Sequence, residues 1–212
     1  MSRRCWCVLL SVSCLGVAVS ATVRGASASL YEVDRDRSRA VIEVGKAGAL
    51  SFLAGHTHEV VGPIAGVVHL DQPDGHSDVQ LEIDAGALRV TGKGDPPDDV
   101  PKVQQAMLSD QVLDVRHYPL IVFRSLSVTI KTQTPTALDL AVAGQLTLHN
   151  VTRSFTVPVK VALDGDQLTA TGAFPLKQTD FGIRPISVGG VVAVRDTLNI
   201  SFTIIARAQR GA

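Results

Sequence analysis

Apolar and polar side chains alternate along most of this sequence, a period of two that fits extended backbone whose two faces meet different surroundings. The clearest run sets Leu138, Leu140, Val142, Leu146 and Leu148 against Asp139, Gln145, Thr147 and His149. The next sets Phe155, Val157, Val159, Val161 and Leu163 against Thr156, Pro158, Lys160 and Ala162, and Asn150-Val151-Thr152-Arg153 between them reads as a hairpin connection. The pattern returns in Leu168, Ala170, Gly172, Phe174 and Leu176, and again in Leu198, Ile200, Phe202 and Ile204. Earlier strands are predicted over 40–46, 60–71, 79–84 and 120–131. About eight strands joined mostly by short turns, as at Asp164-Gly165-Asp166, predict an all-β domain, either a barrel or a sandwich.

Helical signals are confined to two places, a short piece over 47–54 and a segment over 98–112 in which Val103 and Met107 stand four apart behind Asp98-Asp99. The stretch 86–119 is too long for a hairpin turn and contains Gly92, Gly94 and Pro96-Pro97. It is expected to lie over one end of the sheet structure as a partly helical cap.

The first 28 residues have the layout of a secretory signal peptide: Arg3 and Arg4, then an uncharged, mostly apolar run from Cys5 to Ala21, then small residues with Ala26-Ser27-Ala28. Cleavage after Ala28 or Ala21 would leave one exported domain from residue 29 to 212, periplasmic or secreted; the alternative is an uncleaved N-terminal anchor. Cys5, Cys7 and Cys14 all fall in this segment, so a disulfide framework and thiolate chemistry are excluded from the remainder. Without Arg3, Arg4 and Arg24 the chain has 17 basic against 20 acidic side chains and no basic cluster, which gives nucleic-acid binding no electrostatic footing.

Four short motifs follow one another in a specific order. They are Tyr31-Glu32-Val33-Asp34 with Ser38; Leu113-Asp114 through Tyr118-Pro119 with Phe123-Arg124-Ser125; Gly144-Gln145-Leu146-Thr147-Leu148-His149-Asn150-Val151-Thr152; and Asp180-Phe181-Gly182-Ile183. In this order they resemble the YceI-like family of exported lipid-binding proteins, and the resemblance runs from Tyr31 to near Ala208. It implies a lipocalin-like antiparallel β-barrel, capped at one end by one or two short helices, that holds a polyisoprenoid or another long alkyl chain. An eight-stranded barrel is just wide enough to be filled by side chains or to hold one small ligand. The stretch 47–59, with His56 and His58, is richer in histidine than the family pattern and marks a divergent branch.

Candidate ligand contacts are of two kinds. Phe123, Leu146, Phe155, Phe174, Phe181 and Phe202 fall on apolar strand faces, where they either line a cavity or fill a dry core. Aromatic residues are only 4% of the chain, and Ala141, Ala143, Gly144, Ala170 and Gly172 are interleaved with the larger side chains, which favours a cavity. His56, His58, Asp180 and Arg184 are candidates for a polar mouth. Asp180 and Arg184 have an alternative role as a structural corner, Asp180 capping a turn and pairing with Arg184.

His56 and His58, two apart on extended backbone, could also grip a metal with Glu59, His117, His149 or Asp180, although no common zinc spacing is present. His149 reads first as a turn-flanking hydrogen-bonding group. No Gly-x-Ser-x-Gly elbow, ordered Ser, His and Asp set, or phosphate-binding loop occurs. The expectation is a binding protein and not an enzyme, with a long-chain lipid as partner, no resident cofactor, at most transient membrane contact, and a homodimer left open. Rival readings are a metal-binding or redox-linked envelope protein using His56 and His58, and a stress protein that binds partners and holds no internal ligand.

Overall fold

The computed structural model describes residues 29–47, 58–71, 77–93, 95–188 and 192–209. The expected leader over 1–28, His56 and most of the expected 47–54 helix lie outside them; Ala47 itself is extended.

Eight antiparallel staves close into a barrel in which each pairs with its neighbours in sequence. The first stave is β1 (Ser29–Val33) with β2 (Arg39–Val44), and a two-residue strand, β3 (Lys46–Ala47), follows it. The second is β4 (His58–Pro63) with β5 (Ala65–Leu70), the third β6 (Asp78–Asp84). A two-residue strand, β7 (Arg89–Val90), lies beside β4. The remaining staves are β8 (Leu120–Gln133), β9 (Ala137–Leu148), β10 (Val151–Asp164), β11 (Gln167–Lys177) and β14 (Thr197–Ala208). Between the last two, β12 (Ser187–Val188) and β13 (Val192–Val194) pair with each other, and β13 pairs with β3, above one end of the barrel. Closure comes from β14, which pairs with β11 along one edge and with β2 and then β1 along the other.

The alternation maps directly onto the wall. In β9 Leu138, Leu140, Val142 and Leu148 are buried while Asp139 and Gln145 are exposed, and in β10 Val157, Val159 and Val161 are buried while Thr156, Pro158 and Lys160 are exposed. The turn between these strands is tighter than expected. Leu148 already pairs with Val151, so the two turn residues are His149 and Asn150, with φ of 51° and 58°. Positive φ at both central positions is the geometry that suits the right-handed twist of a two-residue hairpin. His149 is therefore in the turn, not beside it, and its ring meets Tyr118 edge-on at 4.4 Å.

The stave expected to be continuous over 60–71 is broken, and its break faces the one between β1 and β2. Between β1 and β2 the chain bulges over 34–38, and Ser38, 1% exposed, fills the gap in the ladder with its side chain. Its hydroxyl accepts the Ile205 N–H at 2.9 Å and donates to the Ile205 carbonyl at 3.1 Å, a carbonyl that also accepts the Asp34 N–H at 2.8 Å. Across from it the second stave breaks at Ile64, whose N–H reaches the Ser38 carbonyl at 3.1 Å and whose side chain is buried. The breaks let one stave bend without leaving buried backbone groups unpaired.

The cap is present with a shorter helix than the periodicity predicts: α1 spans Val100–Leu108, not 98–112. Asp99 spends its carboxylate on Lys102, and Ser109 leaves helical space, its hydroxyl donating to the Ala106 carbonyl at 2.7 Å. Gln104 ties α1 to β7 by mimicking a strand neighbour: its side-chain carbonyl accepts the Val90 N–H at 2.8 Å and its amide donates to the Leu88 carbonyl at 3.0 Å. Among the described residues α1 is the only α-helix, and none is long and apolar enough to cross a membrane.

Candidate ligand cavity

Two clusters of buried apolar side chains form the interior, one containing Tyr31, Leu138 and Leu168 at the end with the 134–136 and 165–166 turns, the other containing Leu88, Leu113, Leu176, Phe181 and Ile183 under the cap. Members of both, Leu168 and Leu176 among them, line a cavity of about 520 Å³, within the range of small-molecule sites. Its wall is made by inward positions of every stave, such as Ala40, Val68, Leu81, Val142, Val157, Ala170 and Ile204, and its roof includes Val103, Ala106 and Met107 of α1. The wall is almost entirely apolar. Among the described residues its polar members are His58, Glu82, Lys102 and Gln178, and it contains no Ser, Thr, Cys or Tyr.

Glycines help to keep the lumen empty. Gly172 stands opposite Phe202 in the β11–β14 register, and a Cβ there would lie 2.5 Å from Phe202 Cζ and 2.8 Å from the Pro158 carbonyl oxygen. Phe123 covers Gly144 in the same way. Each ring is laid over a gap in the neighbouring strand, along the wall and not across the lumen.

Of the residues picked from sequence, Phe123, Leu146, Phe155, Phe174 and Phe202 are on the cavity wall. Phe181 is not. It is fully buried behind the wall, its ring parallel to that of Phe155 at 6.1 Å. Asp180 and Arg184 are exposed, off the wall, and joined by no ion pair. The short 3-10 turn Thr179–Phe181 sends Phe181 inward and its neighbour Asp180 outward.

The carboxylate that organises this corner is Asp196. It accepts the Thr179 N–H at 2.9 Å and the Thr179 hydroxyl at 2.7 Å, and these bonds to its charged form hold its pKa below the usual 3.8. Beside it the buried Gln178 donates its side-chain amide to the Arg195 carbonyl at 2.9 Å and reaches the cavity.

His58, the first residue of β4, lies at the cap end of the cavity with its side chain 15% exposed. Its Nδ1 is 2.7 Å from Asp95 Oδ1, and the Asp95 side chain has no exposed surface. The contact is a close ion-pair approach without the alignment of a hydrogen bond, and the Asp95 carboxylate has no other polar partner among the described residues. The further ligands considered for a metal have partners of their own: Glu59 contacts Lys93 and Thr91, His117 contacts Asp114, and His149 packs on Tyr118. Among the described residues no three His, Cys, Asp or Glu side chains are grouped to hold a metal. Asp95 was not legible as a partner, because nothing local in Gly94-Asp95-Pro96 signals a contact with a residue 37 positions earlier.

A family model for the YceI-like domain matches residues 31–206. Three solved structures share the fold. BcnA of Burkholderia cenocepacia aligns at 20% identity with a TM-score of 0.58, over 82% of this chain and 98% of that one. A polyisoprenoid binding domain from Saccharophagus degradans, implicated in plant cell wall breakdown, aligns at 12% identity with a TM-score of 0.62, over 84% and 98%. The Campylobacter jejuni YCEI protein aligns at 12% identity with a TM-score of 0.50, over 70% and 82%. No curated protein sequence matches the chain. With the matched region covering the whole barrel, the chain belongs to the YceI-like family.

Proposed function

We propose that this protein is a carrier that encloses one long apolar lipid, of the polyisoprenoid or fatty-acyl type, inside its barrel. The observation that carries this reading is the cavity of about 520 Å³ with an apolar wall in a closed eight-stave barrel. The likeness to a polyisoprenoid binding domain agrees with it. Burial gains about 0.8 kcal/mol per methylene. Association costs about 4–15 kcal/mol in lost freedom, so about 5 to 19 buried methylenes only offset that cost and a longer buried chain gives net affinity. Among the described residues the wall has no Ser, Thr, Cys or Tyr, which suits holding a ligand better than transforming it. The signal-peptide layout of residues 1–28 supports export of this carrier to the periplasm or beyond the cell.

The test is a titration with a fluorescent long-chain polyene, repeated on Ala170→Trp. Ala170 is 6% exposed and on the cavity wall, so an indole there occupies lipid volume. Saturable binding at one site per chain, lost in a folded Ala170→Trp variant, supports the carrier reading. Equal binding by the variant refutes it.

A further inference from the structure

The polar groups at the cap end of the cavity carry information about the head of the ligand. Among the described residues two basic side chains reach the cavity, and each already faces a carboxylate: His58 faces Asp95 at 2.7 Å, and Lys102 faces Asp99 at 3.0 Å. Glu82 is at an exposed position of β6 between the inward Leu81 and Ile83, and Gln178 is neutral. No arginine is on the wall among the described residues. The segments 48–57 and 189–191 contain no Lys or Arg. Whether His58 is charged or neutral, the His58 and Asp95 pair has no net positive charge to offer. Lys102 is mostly in solvent, so a phosphate or diphosphate head placed beside His58 would meet the buried Asp95 carboxylate with no cation free to balance it among the described residues, which is unfavourable.

Resting on the carrier reading above, we propose that the cavity takes a long-chain lipid with an uncharged, hydroxyl-type head, and that His58 is the residue that binds this head. Asp95 stands against the Nδ1 edge of the ring at 2.7 Å, which leaves Nε2 as the ring nitrogen for a ligand. A hydroxyl both donates and accepts, so it satisfies Nε2 in either protonation state of the imidazole. Asp95 is a positioning residue: buried and without another polar partner among the described residues, it fixes which edge of the ring faces away from it.

The experiment compares three probes with the same 20-carbon branched skeleton: phytane, geranylgeraniol and geranylgeranyl diphosphate, each competing with the fluorescent polyene. For the native protein the alcohol is expected to bind about five- to tenfold more tightly than the hydrocarbon, the worth of one hydrogen bond, and more tightly than the diphosphate. In His58→Ala the ratio of alcohol to hydrocarbon affinity is expected to fall toward one. The double variant His58→Ala/Asp95→Ala, which strands no buried carboxylate, should show the same collapse. A diphosphate that binds as tightly as the alcohol, or a ratio unchanged in both variants, overturns the headgroup assignment while the carrier reading stands. If none of the three displaces the polyene, the carrier reading falls and this inference with it.

Discussion

Replacing Ser38 by Ala removes one hydroxyl from the break between β1 and β2, and its consequence can be worked out group by group. The Ile205 carbonyl keeps a partner, because the Asp34 N–H already donates to it at 2.8 Å. The Ile205 N–H does not, since its acceptor is the Ser38 oxygen at 2.9 Å. With Ser38 only 1% exposed, the orphaned N–H has little access to water. An unsatisfied buried donor costs about 1–3 kcal/mol, so a loss near 2 kcal/mol is expected. For a domain of this size that corresponds to a Tm lower by about 4–8 °C. Urea unfolding should show a lower midpoint with an unchanged slope, because the surface exposed on unfolding is the same. Ser154→Ala, at an exposed position of β10, is the control and should stay within about 0.5 kcal/mol of the native protein. If Ser38→Ala is as stable as Ser154→Ala, the hydroxyl is not what closes the ladder.

Gly172→Ala should destabilise by about 1–3 kcal/mol in the same unfolding assay, since the new methyl group collides with Phe202 and with the Pro158 carbonyl; a neutral result would mean that the wall yields freely there. Asp196→Ala tests the corner through its pH dependence. The folded-state pKa of Asp196 lies below 3.8, so its stabilisation is fully present above that value and is lost as pH falls through the lower, folded-state pKa. The variant should therefore be less stable than the native protein at neutral pH and converge with it in strong acid, and a gap that persists in acid would contradict the assignment.

Most of the barrel was legible in the sequence because a wall with one wet and one dry face writes itself as a period of two. Leu138 to Leu148 and Phe155 to Leu163 declare both their strands and their inward sides. The breaks were harder to see. Ile64 and Ser38 continue the apolar and polar patterns they sit in, and only the contact between them, 26 residues apart, explains why the staves bend. The hairpin at His149-Asn150 was displaced for a local reason: without a glycine, neither residue announces the positive φ that both adopt.

At the candidate site, Phe123, Leu146, Phe155, Phe174 and Phe202 reach the cavity because strand parity alone determines their side of the wall. Phe181, Asp180 and Arg184 belong to a 3-10 turn and its exit, where parity gives no guidance, and they do not reach it. Asp95, Lys102 and Gln178 come from the cap and the corner, elements whose placement depends on tertiary contacts such as the Gln104 bridge to β7.

The central claim is that the cavity lined by the two buried clusters belongs to a lipid. It is tested most directly by native mass spectrometry of the protein purified without detergent or added lipid, alongside Ala170→Trp. The account predicts one long-chain lipid per native chain, released on denaturation, with an uncharged head, and a variant that emerges ligand-free. A native protein that retains no lipid and does not acquire one when long-chain alcohols are supplied would contradict it.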